Sequence, residues 1–136
     1  MVQQWRVLVD EFTRVNGGDE RILMTEAYAS VDDTIRFYEN DQGPISHFPF
    51  NFGMIERLND NSNAGDFKNV IDEWLQKMPT TATANWVLGN HDKPRFGSRY
   101  GVERIDGMQM LLMILPGVAV TYNVKMFNQQ KNLKII

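Results

Sequence analysis

A chain of 136 residues, 43% hydrophobic and carrying Phe 8, Tyr 4 and Trp 3, has the composition of one globular domain at most and not of a disordered segment. A net charge of -3 with scattered Lys and Arg leaves no basic footprint for nucleic acid and no cationic helix face for a membrane surface. The lack of cysteine excludes disulfides and thiolate metal ligands, and neither a signal sequence nor a membrane span is expected: Gln3, Gln4, Arg6 and Asp10 interrupt the first apolar stretch, and Pro116-Gly117 breaks the longest.

In chain order, Trp5, Leu8, Val9, Phe12 and Val15 fall at helical spacing, with Gly17-Gly18 as a left-handed stop. Ile22-Leu23-Met24 reads as a short buried strand ending in Thr25-Glu26-Ala27-Tyr28. Ser30, with Asp33 three residues on, caps a short helix expected to run through Tyr38. Residues Ser46 to Phe52 alternate aromatic and polar positions between Gly43-Pro44 and Gly53, and read as a second strand. Asn59 to Gly65 is turn chemistry apart from Ala64. Asp66 is then expected to cap a helix whose apolar residues Phe67, Val70, Ile71, Trp74, Leu75 and Met78 keep the i, i+3, i+4, i+7 pattern. Asn85 to Leu88 is the third strand, a helix follows over about Val102 to Ile114, and Val118 to Tyr122 is the fourth strand. Alternation of helix and strand predicts an α/β fold with a parallel sheet. No Gly-rich phosphate loop follows any strand, so a nucleotide site has no support.

The run Asn85 to Arg95 holds the most chemistry. A strand that stops at Gly89 delivers Asn90, His91 and Asp92 to the C-terminal end of a parallel sheet, where ligands bind; the same residues also suit an ordinary turn. Glu26 lies at the corresponding end of the first strand. Two carboxylates flanking a bond, one a proton donor and one charged, is what glycoside hydrolysis needs; a carboxylate that merely caps the following turn is the plain alternative for Glu26. Val-Leu-Gly-Asn-His-Asp after a strand also resembles a metal-ligand segment of metallophosphoesterases. Such a centre needs further ligands, and with only His47 and His91 in the chain it is disfavoured.

Three blocks in order, Ile22 to Tyr28, Asn85 to Arg95 and Leu115 to Tyr122, resemble signature blocks of the α-amylase family (glycoside hydrolase family 13), in its α-glucosidase or maltase branch as found in insects. The resemblance covers about Trp5 to Asn123. It implies a partial (β/α)8 TIM barrel, strands five to eight with their helices, and hydrolysis of terminal α-linked glucose from oligosaccharides with retention. It further implies Glu26 as general acid/base, Asp92 as substrate holder and transition-state stabiliser, and His91 as a hydrogen-bond partner of the same sugar hydroxyls. Arg95 and Asn90 are implied as substrate-binding residues at that rim, although Asn90, like Phe50 and Tyr28, equally suits packing. No metal and no cofactor are implied. The partner is an α-glucoside oligosaccharide, with neither nucleic acid nor membrane contact from this segment. Insect members of the family are typically secreted or membrane-anchored, which leaves the location of this chain open.

Departures from the pattern bear on activity. A retaining glycosidase needs a nucleophile about 5–5.5 Å from the acid/base, and the family carries it as an Asp in a Gly-Phe-Arg-x-Asp type block on the fourth strand. Before Glu26 the acids are Asp10, Glu11, Asp19 and Glu20, all on the first helix or its loop, so that block is absent. A full barrel takes about 250 residues, and the expectation is a C-terminal half barrel over residues 1–123, inactive alone and prone to self-association through open strand edges. Residues 124–136, rich in Asn, Gln and Lys, read as a non-homologous tail, which points to a truncated isoform or a gene-model fragment. The alternative function is a non-catalytic carbohydrate- or partner-binding protein built on the same barrel.

Overall fold

The computed structural model describes residues 1–122; the tail expected over 124–136 lies outside the described residues. Helix α1, Val2–Asn16, follows the apolar spacing, and Gly17 ends it at φ 66 with its N–H donating to the Thr13 carbonyl at 2.8 Å. A short strand β1, Met24–Thr25, and helix α2, Val31–Ile35, come next. Ser30 Oγ accepts from the Asp33 N–H at 3.2 Å, as the capping pattern predicts, but α2 stops three residues short of Tyr38. A hairpin that periodicity did not reveal follows: β2, Glu39–Asn40, antiparallel to β3, Gly43–Pro44. Strand β4, Phe48–Pro49, and the single-turn helix α3, Gly53–Glu56, lead to helix α4, Ala64–Lys77. Strand β5, Asn85–Val87, and helix α5, Phe96–Tyr100, precede a 3-10 turn at Val102–Arg104, helix α6, Ile105–Ile114, and strand β6, Val118–Val120.

The α/β order is as expected, but the sheet is not continuous. Strands β1 and β4 pair in parallel with Met24 opposite Phe48, and β5 and β6 pair in parallel with Trp86 opposite Ala119. Between β4 and β5 no ladder is made, because Pro49 has no N–H to offer. The Asn85 side chain takes the place of main-chain rungs. Its Nδ2 donates to the Pro49 carbonyl at 2.6 Å and its Oδ1 accepts from the Asn51 N–H at 2.8 Å, with Asn85 fully buried. One polar side chain therefore joins the two parallel pairs.

The core sits between β5 and helices α4, α5 and α6, built from Met54, Leu58, Val70, Trp74, Trp86, Leu88, Phe96, Tyr100 and Leu112. Trp86 anchors the β5–β6 seam by donating from its indole nitrogen to the Pro116 carbonyl at 2.8 Å. Gly117, at φ 116, is required there, since a Cβ would collide with the Ala84 carbonyl oxygen.

Four local expectations are corrected. Ile22 and Met24 are exposed and not buried, because β1 has β4 on one side only and α1 buries none of its residues. The N-cap of α4 is Asn63 and not Asp66. The Asn63 side chain accepts from the Gly65 and Asp66 N–H groups while Asp66 Oδ2 accepts from the Asn63 N–H at 2.8 Å, a reciprocal capping box that puts Asp66 at the third helical position. The helix expected from Val102 begins instead with the 3-10 turn, and the last strand stops at Val120 and not Tyr122.

Candidate active site

Strand β1 runs directly into Glu26, and β5 runs through Leu88 and Gly89 into Asn90, His91 and Asp92. These ends converge. Glu26, Asn90 and His91 line one cleft of about 170 Å³ whose apolar walls are Phe50, Phe52, Val87, Val120 and Tyr122. Phe50 and Phe52 stack with their planes 6° apart at 5.9 Å, and the pair forms part of the cleft wall.

Asn90 organises the rim, making the bonds of a turn and also tying that turn to Tyr28 beside the cleft. Its Oδ1 accepts from the N–H groups of Asp92 and Lys93, each at 3.2 Å, which is the turn geometry expected of Asn. Its Nδ2 donates to Tyr28 Oη at 2.6 Å, and Tyr28 Oη donates to Asp92 Oδ2 at 3.3 Å. Asp92 is thus tied to Tyr28, two residues beyond Glu26, and also lies 3.3 Å from His91 Nε2 through Oδ1. Burial raises the Tyr28 phenol above its ordinary value; the Asn90 hydrogen bond opposes this, and the negative charges of Asp92 and Glu26 push it further up. Both carboxylates are therefore felt at one phenol.

Of the residues singled out in the sequence, Glu26, His91 and Asn90 share the cleft, Asp92 adjoins it through Tyr28, and Arg95 stands outside it. Arg95 donates to the Asn90 carbonyl at 3.1 Å and lies 4.9 Å over the Tyr122 ring, lining a neighbouring cavity with Phe96 and Leu112. Lys93 was not singled out, yet its ammonium sits 4.9 Å over the Tyr28 ring and 3.6 Å from Glu56. Arg99 was also missed: it donates to the carbonyls of Ile55 and Leu88 and so locks the end of β5 to α3. Neither had a periodic signal, since Lys93 lies in the loop after β5 and Arg99 in a helix of only five residues. Two roomier clefts, of about 280 and 420 Å³, hold no comparable grouping. The acids of the first, Glu73, Asp32 and Glu56, are already engaged by Arg57, Lys77 and Lys93.

Chemically, the cleft offers aromatic side chains against the apolar face of a ring, and carboxylate, imidazole and carboxamide groups for hydroxyls. Among the described residues no group of three or more His, Asp or Glu side chains is placed to hold a metal ion, and no helix is long and apolar enough to cross a membrane.

Comparison with known proteins gives a consistent picture. The family described as Alpha amylase, catalytic domain, matches residues 1–132. Maltase A1 of Drosophila melanogaster is 52% identical over 123 residues, covering 90% of this chain and 21% of that protein. Salivary alpha-glucosidase of Anopheles gambiae is 48% identical over 122 residues, covering 90% and 20%. The human amino acid transporter heavy chain SLC3A1 is 34% identical over 125 residues, covering 90% and 18%. The chain spans about a fifth of the length of these curated relatives.

Proposed function

Because the chain belongs to the α-amylase catalytic-domain family, we propose that it supplies the C-terminal half of an α-glucosidase barrel, with β1, β4, β5 and β6 as strands five to eight. The substrate class is α-linked gluco-oligosaccharide and the reaction is retaining hydrolysis. Glu26 acts as general acid/base, giving its proton to the glycosidic oxygen and then taking one from water. Asp92 accepts hydrogen bonds from ring hydroxyls and stabilises the positive charge that develops at the sugar, while His91 and Asn90 hold the same hydroxyls. Arg95 acts one step back, by fixing the Asn90 carbonyl and hence the loop.

The observation that carries this reading is the meeting of Glu26, Asn90 and His91 in one aromatic-walled cleft, with Asp92 one phenol away. The similarity to Maltase A1 and to salivary alpha-glucosidase supports the substrate class. These 136 residues contain no nucleophile block, so the chain alone is expected to leave a chromogenic α-glucoside uncleaved. The test is a chimera in which residues 1–122 replace the matching segment of Maltase A1. Turnover should survive in the chimera and fall about 10²–10⁴-fold on Glu26→Gln; an inactive but folded chimera, or one indifferent to Glu26→Gln, defeats the assignment.

A second reading, a non-catalytic binding module, draws on the similarity to the human amino acid transporter heavy chain. Saturable sugar or partner binding by the chimera without turnover would favour it.

A further inference from the structure

We propose that His47 is a positioning residue for Glu26, acting as a protonation-sensitive latch on strand β1. The proposal rests on the reading of Glu26 as acid/base, but the latch itself is a matter of hydrogen bonding.

Strand β1 has little else to hold it. It is two residues long, its outer neighbour α1 buries no side chain, and Ile22 and Met24 are exposed. Hydrophobic packing therefore does not fix the strand, and its attachment to β4 is by hydrogen bonds. Thr25 accepts from the Phe50 N–H at 2.9 Å, and its hydroxyl lies 3.3 Å from Ser46 Oγ. At the other end both main-chain groups of Leu23 go to the same residue: its carbonyl accepts from the His47 N–H at 2.8 Å, and its N–H donates to His47 Nδ1 at 2.8 Å. An imidazole nitrogen thus stands where a main-chain carbonyl accepts in an ordinary parallel ladder.

That bond dictates the tautomer. With Nδ1 accepting, the ring proton is on Nε2, which donates to Glu20 Oε1 at 3.1 Å, and the side chain is only 11% exposed. The charged groups around the ring are Glu20, on the loop before β1, and Arg6 of α1, whose guanidinium is 4.0 Å from the same Glu20 oxygen and is itself held by Asp10 at 2.8 Å. Strand β1 presents only the Leu23 main chain. A second proton can enter the ring only at Nδ1, where it meets the Leu23 N–H; two donors then face each other and the bond is lost. Protonation at Nδ1 thus releases the start of β1. Glu26 is three residues further along the chain, the first beyond the strand, and its carboxylate reaches the cleft only while β1 lies against β4.

The test is amide and imidazole NMR of the 136-residue chain across pH. The Leu23 amide should lose its hydrogen-exchange protection in the same titration in which the His47 ring gains its second proton. His47→Asn puts a carboxamide oxygen at the place of Nδ1 and cannot take that proton, so Leu23 should stay protected across the whole range. His47→Ala should speed Leu23 exchange by about two- to tenfold at every pH, the range that one net hydrogen bond supports. A Leu23 amide that does not follow the ring, or that titrates the same way in His47→Asn, overturns the latch, and these two arms decide the matter if His47→Ala fails to fold. Glu26→Gln should leave the Leu23–His47 coupling untouched. Loss of turnover on Glu26→Gln in the maltase chimera without the coupling would therefore sink the latch alone, and the coupling without that loss would sink the role of Glu26 alone.

Discussion

Asn90 carries four hydrogen bonds from a position only 8% exposed: two accepted by its Oδ1, one donated to Tyr28 and one accepted by its main-chain carbonyl from Arg95. Asn90→Ala removes the three side-chain bonds and leaves two loop N–H groups without an acceptor, so a loss of about 1–3 kcal/mol in unfolding free energy is expected by denaturant titration. It also removes the hydrogen bond that lowers the Tyr28 phenol, leaving burial and the two carboxylates to raise it further. Tyr38 and Tyr100 are shifted the same way, by burial in both cases. For Tyr38 the neighbouring Trp74 and Asn85 side chains partly offset it, and for Tyr100 the Arg99 charge does. All three phenols hold their protons more tightly in the fold than in the unfolded chain, whose tyrosines titrate near about pH 10. The contribution is therefore complete below about pH 10 and is lost as pH rises from there through the folded values. Tyrosinate absorbance should lag behind that of the unfolded chain, and the denaturant midpoint should fall over the same interval; a midpoint flat across that interval would contradict the shifts.

Asn85 shows what an element can hide from its sequence. In the run Asn85 to Leu88 it reads as the polar start of an apolar strand, and the strand was legible: β5 is buried throughout. What was not legible is that the Asn85 side chain does the work of ladder rungs toward β4, because the need arises from Pro49, 36 residues away. Asn85→Leu would strand the Pro49 carbonyl and the Asn51 N–H in the interior, at a cost of about 2–4 kcal/mol for the two groups. Asn85→Asp keeps the acceptor for Asn51 but buries a carboxylate against the Pro49 carbonyl oxygen, so it too should destabilise; an Asn85→Leu variant as stable as the wild type in thermal or denaturant unfolding would show that the bridge is dispensable. The other elements divide along the same line. Helices α1 and α4 announced themselves by their periodic spacing, and strands β1 and β5 by short apolar runs, although the burial expected of β1 depends on neighbours its sequence does not show. The β2–β3 hairpin and the single-turn helices α3 and α5 did not, since two to five residues carry no period. The candidate site followed suit: the placement of Glu26, Asn90 and His91 at strand ends was readable, whereas Tyr28 as their link, Lys93 above it and Arg99 beneath it are products of chain folding.

At the scale of the whole molecule, exposed apolar residues gather at the two open ends of the strand series β1, β4, β5, β6. Beside β1 stand Trp5, Leu8, Phe12 and Val15 of α1 with Ile22 and Met24; beside β6 stand Met110, Met113 and Ile114 of α6 with Val118. An amphipathic helix none of whose apolar residues is fully buried leaves much of its stripe available to another surface. The 136-residue chain should therefore self-associate with rising concentration, read as an increase in weight-average mass by sedimentation. Leu8→Glu and Phe12→Glu interrupt the stripe on α1 without touching the core. Each should change unfolding free energy by no more than about 0.5 kcal/mol, the range of ordinary surface substitutions. Together they should shift association to higher concentration, because a carboxylate buried in an apolar contact loses its hydration. If the double variant associates like the wild type, the contact lies elsewhere, and the same pair of measurements on Met113→Glu and Ile114→Glu then asks whether the β6 end carries it.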